Sequence, residues 1–250
     1  MQDWVFWSVA ALAVALMGLG KGGFSGLGLV SILLMALVTT PLAAAAIMLP
    51  ILIVQDAVTV WAYRREADWR LLAVMLPGGL AGIFLGWLFA ARIDEAAVRL
   101  VVGLIAVVFA VRGFVSRLPP AAPRASTAGG LFWGVVAGFT SFVAHAGGPP
   151  FQAHVLPLRL PPQIYAGTTT MFFAVVNLVK VAPYFLLGQF SPANLTVSAA
   201  LAPAAIVSTL AGVWLIRRIA AARFYTLILG LTFAVGCKFV WDAGRALLGI

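Results

Sequence analysis

The stretch GLGKGGFSGLG, Gly18 to Gly28, decides how this chain is read. Six of its eleven residues are glycine, a lysine sits among them, and long apolar runs flank it on both sides. A helix crossing lipid satisfies its own backbone hydrogen bonds, and so many glycines interrupt it. Broken backbone at membrane depth is tolerated only inside protein or against a wet cavity. The stretch therefore reads as the tip of a helical hairpin.

Composition supports a membrane setting. Of 250 residues, 63% are hydrophobic and only 9% are charged, whereas an ordinary soluble domain carries about a quarter charged residues. Apolar runs fall at 4–19, 24–38, 41–63, 71–91, 97–115, 129–144, 150–158, 163–187, 195–216 and 223–248. They predict an all-α polytopic membrane protein; the alternating polarity of a transmembrane β-barrel is not visible. The net charge of +9 does not indicate nucleic acid, because the basic residues sit at the ends of apolar runs, as the positive-inside rule predicts. Cys237 is the single cysteine, which excludes an intramolecular disulfide and a cysteine-based metal cluster. The first residues, 1–18, have an acid and no basic n-region, and no A-x-A site follows them, so they are read as a retained first helix.

One linker, SRLPPAAPRAST at 116–127, divides the chain nearly in half, giving a first repeat at 1–115, a linker at 116–128 and a second repeat at 129–250. Pro41–Tyr63 aligns with Pro162–Tyr184 at an offset of 121, which pairs Asp56 with Asn177. Further on the offset is 126, pairing Pro77 with Pro203 and Gly86 with Gly212. The loops around Arg64–Arg65–Arg70 and Arg217–Arg218–Arg223, and the linker, carry the positive charge expected on the cytoplasmic side. The loop at 188–194, counterpart of 64–70, carries no charge and is placed outside. Corresponding loops on opposite sides predict inverted repeats, each a broken or re-entrant hairpin followed by three transmembrane helices. Both termini then lie outside, with Lys238 and Arg245 arguing against this for the C-terminus. The runs 24–38 and 150–158 are short for a span of about 20 residues, and whether they cross is left open. Short, broken segments at matching positions mark the binding site of such proteins.

The tips GLGKGGFSGLG and SFVAHAGGPPFQAH are therefore the expected site, with backbone N–H groups and helix N-termini favouring an anion. Candidate contacts are Lys21, Gly22, Gly23, Ser25, His145, Gly147, Gly148 and Gln152, joined by Thr169, Thr170, Asn177 and Lys180 from the run 163–187. Lys180 lies deep in its run, where an unpaired charge costs about 2.5–3.5 kcal/mol. Asn177 and Thr170 share its helical face. Asp56, with Gln55 beside it, is the acid placed inside an apolar run, read either as a proton carrier or as the ion-pair partner of a lysine. Each site has a plainer alternative. Lys21 could snorkel to lipid phosphate, Lys180 could form a buried ion pair with Asp56, the threonines, Ser25 and Gln152 could simply pack, and His145 and His154 could serve only their own backbone. No catalytic motif, metal site or cofactor is expected.

The glycine-rich first tip, HAGGPP after the linker and PPQIYAGTTTMFFAVVNLVKVAPYFLLGQ together resemble the TauE/SafE sulfite-exporter family over nearly the whole chain. The first tip, KGGFSGLG, departs from the three glycines and proline common at the family's tips. The resemblance implies a transporter in the bacterial inner membrane that moves sulfite, organosulfonates or related anions, usually outward. With the residues above it predicts alternating access around a small anionic substrate; an anion channel with the same cavity, or a carrier of small carboxylates, is the alternative. Membrane lipid is the other expected partner, nucleic acid is not one, and homo-oligomerisation is left open.

Overall fold

A computed structural model describes residues 4–21, 26–39, 41–89, 92, 95–115 and 126–248. Its regular elements are ten helices: α1 (Trp4–Lys21), α2 (Gly26–Val38), α3 (Pro41–Tyr63), α4 (Trp69–Leu88), α5 (Glu95–Val115), α6 (Thr127–Ala144), α7 (Gly148–Val155), α8 (Pro162–Leu186), α9 (Pro192–Ile216) and α10 (Ala221–Leu248), with a 3₁₀ turn at Leu156–Leu158. Each coincides with one of the ten apolar runs. Helices α1, α3, α4, α6, α8, α9 and α10 are each long and apolar enough to cross a membrane. The chain is thus a multi-pass helical membrane protein. Most of the linker, 116–125, lies outside the described residues.

Polar side chains set several ends. The Asp68 carboxylate accepts from the amides of Arg70 and Leu71 at 3.1 and 3.0 Å and starts α4. Ser126 and Ser191 do the same for α6 and α9, accepting from Gly129 and Asn194. These hydroxyls and the carboxylate satisfy amides that a helix start leaves without partners. At the other end of α8, Gly188 adopts φ 67°, the left-handed conformation that closes a helix.

The chain divides into two compact units, and each draws on both halves of the sequence. The first comprises 1–67 and 162–219, hence α1–α3 with α8 and α9. Its core gathers Ala10, Ala13, Val14 and Met17 of α1, Met35 of α2, Ala44, Ile47, Met48, Ile51 and Leu52 of α3, and Val197, Leu201 and Ala205 of α9. Helices α1 and α2 fold back as the predicted hairpin, with Gly20 against Leu27 and Gly28, and Met17 over Gly28. The second unit comprises 68–161 and 220–250. Its tightest contact is α4 against α6, where Gly78, Gly82, Gly134 and Gly138 let backbone meet backbone. Small residues give this close approach, which replaces the hydrophobic driving force that is missing between helices in lipid. Helix α7 turns back from α6 until His154 lies beside Gly129 and Gly130, near the start of α6. The second tip is therefore also a hairpin.

Candidate functional site

The site grows from α3. Asp56 lies seven residues before Tyr63, where α3 ends, so it sits about 10 Å into the span at 1.5 Å per residue. It is 4% exposed. One carboxylate oxygen accepts from the Lys21 ammonium at the end of α1. The other accepts from the Asn177 side-chain amide of α8 at 2.7 Å. Both oxygens of a buried carboxylate are thus engaged, one by a cation and one by an amide, as its burial requires.

Lys21 therefore points inward. Its side chain is 12% exposed, which removes the alternative of a lysine snorkelling to the headgroups. The lysine that contacts Asp56 is Lys21, whereas the sequence reading considered Lys180 for an ion pair with it. Lys180 is fully buried on α8, and Lys21 and Asp56 both act on it electrostatically, one repelling and one attracting. The first unit thus brings together two lysines, one aspartate and one asparagine from three helices. With both lysines protonated their formal charges sum to +1.

Why these residues meet is legible in the packing. Gly167, ten residues before Asn177, sits against the Glu66 carbonyl and the Tyr63 side chain, and a Cβ there would collide with that carbonyl. Moving from Asp56 towards the end of α3 therefore means moving from Asn177 towards the start of α8. The two helices run antiparallel, locked by glycine at one point and by the Asp56–Asn177 bond at another. Arg217, following α9, closes the same end: its guanidinium donates to the Ala62 carbonyl at 3.0 Å, pairs with Glu66 at 3.3 Å and lies over the Tyr63 ring. Gln55 fastens α3 to α1 by donating to the Val14 carbonyl at 3.3 Å, while its own side-chain oxygen has no hydrogen-bond partner among the described residues.

The threonines of α8 separate by their hydrogen bonds. Thr168 and Thr169 donate to the carbonyls of Ile164 and Tyr165 at 2.7 and 2.8 Å. A hydroxyl has one proton, so neither can donate to a ligand while those bonds stand. The Thr170 hydroxyl is buried without a hydrogen-bond partner among the described residues, which leaves it the better-placed donor on that helix.

The second tip belongs to the second unit. His145 ends α6 in a left-handed conformation at φ 49°, and the Ala146 amide then reaches the Thr140 carbonyl at 3.1 Å. His145 thus shapes the turn that ends α6. Gly147 caps α7 and Gly148 begins it, with Pro149 and Pro150 following. Proline has no amide hydrogen, so this helix N-terminus offers fewer donors than the sequence reading assumed. Gln152 is buried and accepts from the Thr232 hydroxyl of α10 at 2.5 Å. His154 is half-buried, and its Nε2 has no hydrogen-bond partner among the described residues. Gly22, Gly23 and Ser25 lie outside the described residues.

The sequence reading missed three features: Thr232 as the partner of Gln152, the Arg217 clamp on α3, and the glycine faces of α4 and α6. The last was available as small residues spaced by four at 78–82–86 and 130–134–138.

A family model described as "Sulfite exporter TauE/SafE" matches residues 10–239. No curated protein and no solved structure matches the chain.

Proposed function

The chain belongs to the TauE/SafE sulfite exporter family, a family of membrane transporters for sulfur anions, and from that premise we propose that it carries a small sulfur oxyanion or organosulfonate outward across the bacterial inner membrane by alternating access. The observation that carries this reading is the buried Lys21–Asp56–Asn177–Lys180 cluster. Charged groups at membrane depth are costly and are kept where an ion is bound or moved. With both lysines protonated, cations outnumber the carboxylate, which suits an anion. An inside-negative potential favours export of a monovalent anion by about 2.3 kcal/mol per 100 mV.

Alternating access in this class rests on inverted repeats, and two findings support them here. Asp56 and Asn177, equivalent at the offset of 121, hydrogen-bond across an antiparallel helix pair. A two-fold axis in the membrane plane brings equivalent residues of two such helices together. In the first unit, Gly212 of α9 meets Gly18 and Leu19 near the end of α1. In the second, its counterpart Gly86 of α4 meets Phe142 near the end of α6. Lys238, which had argued against an external C-terminus, pairs with Asp242 one turn away at 2.5 Å, which weakens it as a topological signal.

Proteoliposomes loaded with sulfite, sulfonates or carboxylates test the reading. Saturable counterflow of a sulfur anion is expected, falling at least tenfold in Lys180→Ala. Currents far above carrier turnover would instead indicate a channel, and full transport by a folded Lys180→Ala would remove Lys180 from the site.

A further inference from the structure

Resting on the reading of this cluster as the anion site, we propose that Asp56 sets the charge of the anion that the site accepts: one negative charge rather than two. The argument is a charge count inside a poorly hydrated interior. Around Asp56, α1 contributes Lys21 and α8 contributes Lys180. Helices α2 and α9 of the same unit contain no charged or titratable residue, α8 otherwise contributes only the tyrosines 165 and 184, and α3 itself only Tyr63. With both lysines protonated, two ammonium groups and one carboxylate define the charge that a ligand meets. Net charge held away from water is expensive, so the occupied site is most stable when its total is zero. One monoanion brings the total to zero and one dianion leaves it at −1.

The geometry makes Asp56 the natural counter-anion. Its two oxygens hold Lys21 and Asn177, the same donor types, one ammonium and one amide, that would hold two oxygens of a sulfonate. Asp56 is in effect a tethered anion already occupying part of the cluster. A monosulfonate or singly ionised sulfite would add one negative charge beside it. Sulfate, or fully ionised sulfite, would place two further negative charges beside this fixed one.

Methanesulfonate and sulfate are suitable probes, being tetrahedral and similar in size while differing by one charge. Dissociation constants for both are measured on the purified full-length protein by calorimetry and by ligand-induced shifts in melting temperature. Wild type should bind methanesulfonate at least tenfold more tightly than sulfate. Asp56→Asn keeps the shape and a hydrogen-bonding oxygen but removes the charge, so the ratio should move at least tenfold towards sulfate. The double variant Lys21→Gln/Asp56→Asn returns the formal charge to +1 and should regain the preference for the monoanion. It also removes both members of the buried ion pair together, so it provides a reading even if Asp56→Asn does not fold. An unchanged ratio in folded Asp56→Asn, or a sulfate-preferring double variant, overturns the inference while leaving the anion site intact. Absence of binding of either probe to wild type overturns the site itself.

Discussion

A lysine ending one helix and an aspartate inside another, 35 positions apart in sequence, form the contact that most constrains this protein's chemistry. The sequence placed both at membrane depth, because an ionised residue is conspicuous among apolar neighbours. It could not pair them, since the partner depends on how far a long side chain reaches from a hairpin tip. Breaking such a pair costs more than deleting it whole. Removing one member strands a buried charge at about 3–5 kcal/mol, whereas apolar replacement of both is often neutral. Lys21→Met should therefore lower the melting temperature in detergent more than Lys21→Met/Asp56→Leu does. Recovery in the double variant should be incomplete, because Lys180 also feels Asp56. A double variant less stable than the single would show that the pair acts through other contacts. His145 makes a separate case at this scale. A non-glycine residue at φ 49° carries strain of about 1–2 kcal/mol, so His145→Gly should keep or raise stability. If His145→Gly proteoliposomes transport normally, the residue serves the turn; if transport is lost from a stable protein, the imidazole itself is used.

Helices were the most legible level of the molecule. An apolar run closed by proline, glycine or charge is a physical statement about which backbone can lie in lipid, and all ten runs became helices. How helices pair was much less legible, because hydrophobicity does not discriminate between faces when the surroundings are lipid. Glycine spacing does discriminate. On α4 and α6 a Cβ added at Gly138 would run into the Gly79 carbonyl, and one at Gly82 into the Val135 carbonyl. Backbone cannot yield as a flexible side chain can, so Gly138→Ala should cost at least about 1–3 kcal/mol, the range for overpacking. Gly230 in α10 has nothing within 4 Å of the equivalent position. Gly230→Ala should instead stabilise by about 0.5–1 kcal/mol, the helix penalty of glycine over alanine. Melting curves of the two alanine variants should therefore move in opposite directions, and equal shifts would mean that the α4–α6 contact is not the close one described.

For the molecule as a whole, the division most visible in the sequence is a linker at mid-chain, yet each compact unit takes helices from both sides of it. Contacts between residues more than a hundred positions apart, such as Asp56 with Asn177 and Gly18 with Ser208, leave no local trace in composition. They surface only as an alignment of one half with the other. That alignment carries a topological consequence, because the loops at 64–70 and 188–194 correspond while their charges differ. If the halves are inverted, these loops face opposite sides of the membrane. Cys237 is the native cysteine and is exposed, so a Cys237→Ala background leaves single introduced thiols as reporters. Gln189→Cys in intact cells should react with a membrane-impermeant maleimide, whereas Arg65→Cys should react only after the cells are opened. Arg218→Cys should behave like Arg65→Cys, since Arg217 beside it is clamped to Glu66 and the end of α3. Labelling of positions 65 and 189 from the same side would mean that the halves are parallel. The Asp56–Asn177 contact would then need an explanation other than an axis lying in the membrane plane.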